Sequence, residues 1–571
     1  MSESSSKLIQ GSQTRLPSWL IALGISMLAA LALLLPFFWL GSASGHDFEF
    51  HVASWLDVAY QWKHGVLFPR WTAWTNYGFG EPRFIFYPPL SWILGAALSL
   101  LLPISWVPGA FIFLTQTLAG ICAFLLLRKL VGKTPAYLGA AFYAANPYAL
   151  LVSYIRSDFA EQLACAIFPL LLLSALRLAG LLEGGKSGRI TIASFAALFA
   201  AEWLCNAPAG VIASYSVALL FAWAAVTQRS WQVLLRAAGG LALGFGLAAF
   251  YLLPAVYEQR WVNIGQVLSS GLLPAQNFLF TAIADVEHTW FNWISSLCAL
   301  ALILLAALTA LASRRFAGST ARSSGTKPVW SALLVLGAAA TFLMFRVTIP
   351  LWDLLLKLRF VQFPWRWMSI VAVICCCFLA AAVERRRGWL WFAGVALLSF
   401  PLGYFLTQNT WWDPDEMPTQ QAAIAKGTGY EGVDEYDPLG NDRLDLPKHA
   451  PLAAVLPQAS KDSRSNPLEA KIQIELWRTD NHRLFVESAA PARVALRLIN
   501  YPAWQVTVNG KAVAPEKPDD LDQMLVPIRA GKSEIQVRFV RTSDQLAGVA
   551  VSILSLLLAA GLLAPRKPVK L

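Results

Sequence analysis

Twelve apolar runs of membrane-spanning length divide this chain, and no other feature constrains its fold as strongly. The first is the uncharged run 19–40, and a few of the others are interrupted by one charge. The remaining runs cover 109–127, 135–153, 163–181, 191–205, 208–226, 233–256, 291–313, 329–346, 366–383, 389–406 and 546–564. About 20 apolar residues cross the hydrocarbon core of a bilayer as one helix. With 57% hydrophobic and 14% charged residues, the sequence excludes a soluble globular protein and predicts about a dozen crossings.

Basic residues are concentrated in alternate segments between these runs. This set comprises the N-terminus (1–18), the C-terminal tail and five internal loops, and it holds twenty Lys and Arg against three acidic residues. Because loops rich in Lys and Arg stay in the cytoplasm, both termini are predicted to be cytoplasmic. The first run is longer than the apolar h-region of a signal peptide, about 7–15 residues, and is expected to be an uncleaved anchor. The net charge of +11 then reflects topology, and no nucleic-acid partner is indicated.

One segment poses a parity problem for this topology. If the first loop, residues 41–87, is external and residues 128–133 are cytoplasmic, the stretch between them crosses the membrane once. That stretch is long enough for two helices. We expect 88–102 to form a short helix in the outer leaflet and 109–127 to make the crossing. A non-crossing helix is tolerated where protein or a wet cavity covers its ends.

The polar segment 407–545 is predicted to be an external (periplasmic) domain rich in β-strands. Its second half alternates apolar and polar residues as strands do, and Asn509-Gly510 supplies the residues that a type I′ hairpin turn prefers. The strand-like runs begin at Lys471, Arg483, Val494, Trp504 and Glu534. We expect a small antiparallel β-sandwich after an extended connector (407–465). A final helix and a cytoplasmic basic tail (546–571) hold it at the membrane.

Four titratable side chains are crowded into His46-Asp47-Phe48-Glu49-Phe50-His51, directly after the first apolar run. Asp47 and His51 share a face on a helix, whereas Asp47 and Glu49 share one only on a strand. Three interpretations stay open. Asp47 is a general base that deprotonates an acceptor hydroxyl, or these acids and histidines bind a divalent cation, or Asp47 only caps an interfacial helix.

An aromatic and basic stretch follows this cluster. Its aromatic residues are Trp55, Tyr60, Trp62, Phe68, Trp71, Trp74, Tyr77, Phe79, Phe84, Phe86 and Tyr87. Lys63, Arg70 and Arg83 are interleaved with them. The stretch is either an aromatic belt on interfacial helices or a groove for a lipid-linked substrate. In the second case the rings lie under a sugar or polyprenyl chain and the arginines bind its phosphates.

Three further segments on the predicted external face carry ionisable groups at membrane depth. They are Arg156-Ser-Asp-Phe-Ala-Glu161, Glu202-Trp-Leu-Cys-Asn206 and the patch Lys357–Trp367, which includes Arg366. Such groups are functional candidates, although a structural Arg156–Asp158 or Arg156–Glu161 pair is a competing interpretation. We expect one external cavity lined by Asp47, Arg156, Asp158, Glu161, Glu202 and Arg366.

Several motifs resemble one family of bacterial membrane proteins. They are Gly80-Glu-Pro-Arg-Phe-Ile-Phe-Tyr-Pro-Pro89, Asn146-Pro-Tyr148 with Arg156–Glu161, Trp203–Pro208, Phe363-Pro-Trp-Arg-Trp367 and Tyr501–Lys511. On these motifs nearly the whole chain resembles the family called "6-pyruvoyl-tetrahydropterin synthase-related". Pterin chemistry is not implied, because no soluble synthase domain with a zinc-binding histidine set is visible in the sequence. The resemblance implies a multi-pass protein of the bacterial cytoplasmic membrane.

The architecture also resembles, more distantly, the polytopic glycosyltransferases of type C (GT-C), which include oligosaccharyltransferases and aminoarabinose transferases. These enzymes carry an acidic residue near the start of the first external loop, where Asp47 stands. Glu49 is then the second acid, and Asp158 matches a second-loop acid of some members. The chain departs from the pattern in lacking an adjacent Asp-Asp or Asp-Glu pair. The resemblance implies a polyprenyl-phosphate-linked sugar as donor, used on the external face.

The leading hypothesis is a glycosyltransferase of the cell envelope, a polytopic protein of about 12–13 helices whose GT-C-like core covers 19–406. It assigns the base to Asp47, assistance or cation binding to Glu49, Asp158 and His51, and substrate binding to Arg70, Arg83, Arg156, Glu161, Glu202 and Arg366. One alternative is a non-catalytic protein that translocates or binds a lipid-linked glycan. Another is a structural envelope protein whose β-domain binds partners.

Overall fold

The computed structural model describes residues 17–182, 188–315, 327–384, 388–440, 446–459, 466–516 and 523–564. The predicted cytoplasmic segment before residue 17 and the basic tail after residue 564 lie outside these ranges, as do parts of three basic loops. The described residues form a helical core, a folded first loop and a C-terminal β-domain.

Most of the described chain is helical. The α-helices are α1 (Ser18–Leu33), α2 (Leu35–Leu40), α3 (Phe48–Lys63), α4 (Thr75–Gly78), α5 (Arg83–Phe86), α6 (Pro89–Leu101), α7 (Val107–Leu127), α8 (Lys133–Ala144), α9 (Pro147–Leu150), α10 (Phe159–Leu178), α11 (Arg189–Cys205), α12 (Ala207–Gln228), α13 (Trp231–Leu247), α14 (Ala249–Glu258), α15 (Val286–Arg315), α16 (Lys327–Leu343), α17 (Ile349–Leu354), α18 (Met368–Val383), α19 (Trp389–Gln408), α20 (Glu416–Ala425) and α21 (Ser543–Leu563). A π-helical turn, Leu151–Arg156, continues α9.

Each of the twelve apolar runs forms helix, which confirms the predicted polytopic helical class. In the described residues, eight helical segments are long and apolar enough to cross a membrane, or ten if the bent pairs α13–α14 and α16–α17 each count once. Of the dozen predicted crossings, the two that remain are helical in the described residues but shorter than these segments. The first run is broken between α1 and α2, and α11 has only 17 residues.

The helix α6 occupies the segment that was predicted not to cross. It has 13 residues, about 20 Å at 1.5 Å per residue, whereas the hydrocarbon core is about 30 Å thick. Its length therefore fits the prediction of a short helix that lies within one leaflet.

The helices differ sharply in how much of their surface the protein covers. In the apolar stretch of α18, 94% of the residues are buried inside the protein, and in that of α10 the share is 83%. The corresponding shares for α19 and α21 are only 6% and 17%. The mostly buried helices α10 and α18 therefore form the centre of the core, whereas α19 and α21 lie at its outside with their apolar side chains exposed. The ionisable residues at the ends of these two central helices are consequently enclosed by protein.

The C-terminal domain is an antiparallel β-sandwich. Its strands are β1 (Ala453–Pro457), β2 (Lys471–Arg478), β3 (Asn481–Ser488), β4 (Ala492–Ile499), β5 (Trp504–Val508), β6 (Lys511–Val513), β7 (Gln523–Ile528) and β8 (Gly531–Phe539). One sheet has the order β1-β4-β7 and the other β2-β3-β8-β5-β6, and both contribute to one apolar core. Asn509 and Gly510 have φ values of 49° and 75°, as a type I′ turn requires, and they join β5 to β6.

The predicted extended connector is wrong in part. Residues 407–440 and 446–459 contain the end of α19, the helix α20 and the strand β1. Tyr430 and Tyr436 are buried, and Tyr430 exchanges backbone hydrogen bonds with Trp74 and Tyr77 of the first loop. The connector thus packs against the first loop through single aromatic side chains such as Tyr430 and Tyr436. Single aromatic residues do not produce an apolar run, so the sequence pattern did not indicate this packing.

The first loop lies between the helical core and the β-domain. On the core side, the ring of Trp55 stacks on Phe111 of α7 at 5.3 Å. On the other side, Arg70 donates to the carbonyl of Val540 at 3.2 Å, and the amide of Ile499 donates to the carbonyl of Phe79 at 3.3 Å. The loop thereby connects the β-domain to the helical core.

Candidate functional site

The first turn of α3 places Asp47 at the opening of a cluster of charged residues. Asp47 is the N-cap residue of α3, yet within the described chain its carboxylate makes no capping hydrogen bond. The carboxylate pairs with the guanidinium of Arg156, and 31% of the Asp47 side chain is exposed against 6% for Arg156. The interpretation of Asp47 as a helix cap alone is therefore incomplete.

Backbone hydrogen bonds hold these two residues side by side. The amide of His46 donates to the carbonyl of Ile155 at 3.2 Å, and the amide of Asp47 donates to that of Arg156 at 2.9 Å. The two backbone segments approach so closely at Gly45 that a Cβ atom there would lie 2.6 Å from the Ile155 carbonyl oxygen. The π-helical turn ends at Arg156, which presents its carbonyl to the first loop.

Aromatic rings surround the Arg156 guanidinium and the opening. Its Cζ atom lies 5.0 Å from the ring centroid of Phe363 and 5.7 Å from that of Trp365, within the range of cation–π attraction. The ring of His46 lies 5.2 Å from that of Trp411, which is 53% exposed. The opening thus combines one carboxylate, one guanidinium and exposed ring faces.

A second arginine organises the buried end of the cluster. Arg366, in the 3₁₀ turn that precedes α18, donates to Asp158 at 3.0 Å and to Glu161 at 2.9 Å. Glu161 also accepts from the Tyr148 hydroxyl, and Asp158 caps α10 by accepting from the Glu161 amide at 2.9 Å. All four side chains are buried. Each of the two carboxylates is thus paired with the one guanidinium, as buried charges require.

His51 connects the two ends. It lies one helical turn after Asp47, and its Nε2 is 3.6 Å from Asp158 Oδ1. Burial raises the pKa of Asp158, but the adjacent His51 side chain and the charge of Arg366 outweigh burial and leave that pKa below its ordinary value. Burial raises the pKa of Asp47 above its ordinary value, although Arg156 opposes the shift. The structure therefore brings together an Asp47 cluster, defined as Asp47, His51, Arg156, Asp158, Glu161 and Arg366.

The competing prediction, that Arg156 pairs with Asp158 or Glu161, is wrong. Arg156 binds Asp47, and Arg366 binds both of the other acids.

Four predicted site residues lie outside the Asp47 cluster. Glu49 is exposed on α3, because a helix turns it away from Asp47. Arg83 is buried against Glu81 at 2.6 Å, and Arg70 contacts the β-domain. Glu202 is buried in α11, and among the described residues neither of its carboxylate oxygens has a hydrogen-bond partner.

Sequence reasoning did not single out two members of the site. Tyr148 binds Glu161, and the Gln362 side-chain oxygen accepts from Arg366 at 3.3 Å. Tyr148 ends the motif Asn146-Pro-Tyr148, so its position beside the acidic loop was a usable signal. Gln362 has a left-handed backbone, φ 63°, which nothing in its sequence surroundings indicates.

The cluster does not fit the divalent cation that the hypothesis allowed at Asp47 and His51. The carboxylates of Asp47 and Asp158 are each bound to a guanidinium. In the part of the chain that the structure describes, no group of three or more His, Cys, Asp or Glu side chains is arranged to hold a metal ion. A further cation would be repelled by Arg156 and Arg366.

Comparison with solved structures gives distant likenesses. The Archaeoglobus fulgidus oligosaccharyltransferase in its apo form has a TM-score of 0.41 at 14% identity, with 68% of this chain and 56% of that chain covered. The oligosaccharyltransferase AglB from Archaeoglobus fulgidus, in complex with an inhibitory peptide and a dolichol-phosphate, has a TM-score of 0.38 at 14% identity, covering 71% and 59%. ArnT from Cupriavidus metallidurans bound to undecaprenyl phosphate has a TM-score of 0.32 at 13% identity, covering 73% and 83%.

These scores are too low to transfer a function. This chain also spans little more than half the length of the first oligosaccharyltransferase that it matches. No curated protein matches the sequence.

A family model gives the decisive match. It is described as "6-pyruvoyl-tetrahydropterin synthase related domain; membrane protein" and matches residues 84–409. The matched range contains Arg156, Asp158, Glu161 and Arg366, and Asp47 precedes it. Because the range covers more than half of the 571 residues, the chain belongs to the 6-pyruvoyl-tetrahydropterin synthase-related family of membrane proteins.

Proposed function

We propose that this protein is a membrane glycosyltransferase that moves a sugar from a polyprenyl-phosphate donor to an acceptor of the cell envelope, with Asp47 as general base. The observation that carries the proposal is a difference in exposure within the Asp47 cluster. Asp47 is 31% exposed, whereas Asp158 and Glu161 are 3% and 2% exposed. Only Asp47 among these three acids can reach a hydroxyl group of a bound substrate.

The proposed step needs no group beyond the substrates and the protein. The oxygen of the acceptor hydroxyl attacks the anomeric carbon, and its proton passes to the Asp47 carboxylate. The bond from the anomeric carbon to the phosphate oxygen breaks, and its electron pair leaves on the polyprenyl phosphate. A base works best when its pKa is close to the working pH, and burial moves the pKa of Asp47 in that direction.

The other members of the cluster position this base. Arg156 orients the Asp47 carboxylate, and its positive charge stabilises the negative charge that develops on the leaving phosphate. Arg366 already donates to Asp158, Glu161 and the Val361 carbonyl. Each of its three nitrogens therefore already donates a hydrogen bond within the protein, and we assign it a positioning role instead of the predicted grip on the phosphate. The exposed ring of Trp411 supplies a face on which a sugar can stack.

The test compares wild type with Asp47→Asn in the full-length protein, in nanodiscs that contain radiolabelled polyprenyl-phosphate sugars. We expect the release of polyprenyl phosphate to fall by about 100- to 10,000-fold, as for loss of a general base, with donor binding retained. Asp415→Asn is the matched control, because Asp415 is an exposed acid of the connector.

Full turnover by Asp47→Asn would overturn the assignment of the base. Donor binding without turnover in wild type would favour the alternative of a protein that binds or translocates the lipid-linked glycan.

A further inference from the structure

A groove of about 730 Å³ lies between the first loop, α14, α21 and the β-domain. The part of the chain that forms it does not overlap with the Asp47 cluster. Leu67 and Phe68 stand at its edge and are exposed. Exposed apolar side chains next to a membrane helix indicate an opening towards lipid.

Two helices form the apolar walls. The groove is lined by Gln545, Val549, Ser552, Ile553 and Leu556 of α21, and by Phe250, Tyr251 and Pro254 of α14. Positions that recur every three or four residues lie on one face of a helix. Leu556 lies eleven positions after Gln545, a rise of about 16 Å, so the groove follows α21 through roughly half of the ~30 Å hydrocarbon thickness.

The end of the groove at the β-domain is positively charged. Arg70, Arg541 and Asp480 line it, so two guanidinium groups and one carboxylate face the groove, and the carboxyl of Glu258 lies behind the Gln545 side chain. Arg70 is held by the carbonyl of Val540 at 3.2 Å and by the side chain of Gln545 at 2.7 Å. Burial, and next the charge of Arg541, lower the pKa of Arg70 to about 10. An anion between the two arginines relieves this repulsion.

The groove is too far from Asp47 to hold the reacting end of a donor. Gln61 lines the groove, and Asp47 stands at the other end of the same helix α3. Fourteen residues of helix separate them by about 21 Å. A phosphate bound at Arg70 therefore lies outside the reach of the Asp47 carboxylate.

We infer that this groove binds one anionic phospholipid of the leaflet on the β-domain side, with a phosphodiester between Arg70 and Arg541 and an acyl chain along α21. The negative charge of a phosphodiester is complementary to the two guanidinium groups that line this end of the groove. Because Arg70 also donates to the carbonyl of Val540, directly after β8, the bound lipid stabilises the docking of the β-domain. This inference is independent of the proposed glycosyl transfer.

The experiment is native mass spectrometry of the full-length protein, released from detergent with phosphatidylglycerol, phosphatidylethanolamine or undecaprenyl phosphate. We expect one copy of phosphatidylglycerol to be retained, in preference to the zwitterionic lipid. Arg541→Gln removes an exposed side chain and should weaken that retention about fivefold, the usual effect of one basic residue at an anionic lipid. Val549→Trp fills the wall without a change of charge and should weaken it as well.

Arg260→Gln is the matched control, because Arg260 is an exposed arginine after α14 that stacks on Tyr257 and does not line the groove. Equal retention of both phospholipids, or equal loss in Arg541→Gln and Arg260→Gln, would overturn the inference. So would retention of undecaprenyl phosphate that Arg541→Gln abolishes, because the groove would then be a donor site.

Discussion

The Asp47 cluster and a second cluster of buried charge are both built partly from the first loop, but only the Asp47 cluster reaches the surface. The second, which we name the Glu81 cluster, consists of Asp57, Asn76, Glu81 and Arg83. Glu81 accepts from Arg83 at 2.6 Å and from the Val433 amide at 3.2 Å. Asp57 accepts from the amides of Ala73 and Trp74. All four members are buried.

The difference separates two uses of the same residue types. In the Glu81 cluster each charge ends on a backbone amide or on another side chain of the loop and connector, which fixes the conformation of the loop. In the Asp47 cluster both buried acids are paired with Arg366, while the outermost acid keeps an exposed fraction of 31%. Comparison of the exposed fractions of the paired acids thus identifies Asp47 as the residue placed to contact a substrate.

The largest effect on stability is expected from Glu81→Gln. The amide group of glutamine replaces one oxygen, so either Arg83 or the Val433 amide loses its acceptor. Breaking a buried ion pair by removing one partner costs about 3–5 kcal/mol, and we expect a clearly lower thermal midpoint in detergent. Turnover per folded molecule should remain at the wild-type level, since the cluster does not touch the opening at Asp47.

Asp353→Asn is the control for this prediction. Asp353 pairs with Arg359, and the two side chains are 48% and 55% exposed, so the loss should be at most about 1 kcal/mol. Equal losses in both variants would show that burial does not distinguish the two pairs. A loss of turnover in folded Glu81→Gln would remove the functional distinction between the clusters.

Gly45→Ala should have the next largest effect, and on turnover in particular. The added methyl group would lie 2.6 Å from the carbonyl oxygens of Tyr154 and Ile155, so the backbone pairing beside Asp47 must open. Overpacking of this kind costs about 1–3 kcal/mol, and displacement of Asp47 from Arg156 should lower the turnover rate.

Gly24→Ala in α1 provides the comparison for Gly45→Ala, because no atom lies within 4 Å of the added carbon. It should be neutral or slightly stabilising, by up to about 1 kcal/mol. Unchanged turnover in Gly45→Ala would argue against the alignment of Asp47 by this backbone pairing.

The fold was predictable wherever a local pattern determines it. Apolar runs predicted the helices, and Asn509-Gly510 predicted the hairpin between β5 and β6. The strands β1 and β7 were missed, since Ala453–Pro457 and Gln523–Ile528 are short and each contains a proline. They become strands because they pair with β4 on its two sides, which is a tertiary effect.

The partners within the site were not predictable in the same way. The sequence places its ionisable residues on one predicted face, but Arg156 binds an acid 109 residues away and Arg366 binds one 208 residues away. Opposite charges attract at any sequence separation, so residue type does not choose among several acids. The choice depends on the left-handed residues Ser157 and Gln362, which redirect the chain beside Arg156 and Arg366.

The smallest effect concerns the pH dependence of turnover. A general base must be ionised, so kcat/KM falls as the pH drops through the pKa of Asp47 in the free enzyme. Burial raises that pKa, Arg156, His51 and Arg366 lower it, and the negative charge of Asp158 raises it. The acid limb of wild type should therefore lie above the ordinary aspartate value of about 3.9.

Asp158→Asn should move this acid limb to lower pH by less than about one unit, equivalent to ~1.4 kcal/mol. The variant removes the negative charge and keeps most contacts, because asparagine still caps α10 and Arg366 retains Glu161. The measurement is kcat/KM for polyprenyl-phosphate sugar against pH, with Asp415→Asn leaving the limb in place. A limb that stays fixed or moves to higher pH in Asp158→Asn would mean that the titrating base is a group other than Asp47. A shift of the acid limb to lower pH would show that the charge of Asp158 raises the pKa of Asp47. Because Asp158 is buried and does not contact the substrate, this effect would act through charge alone.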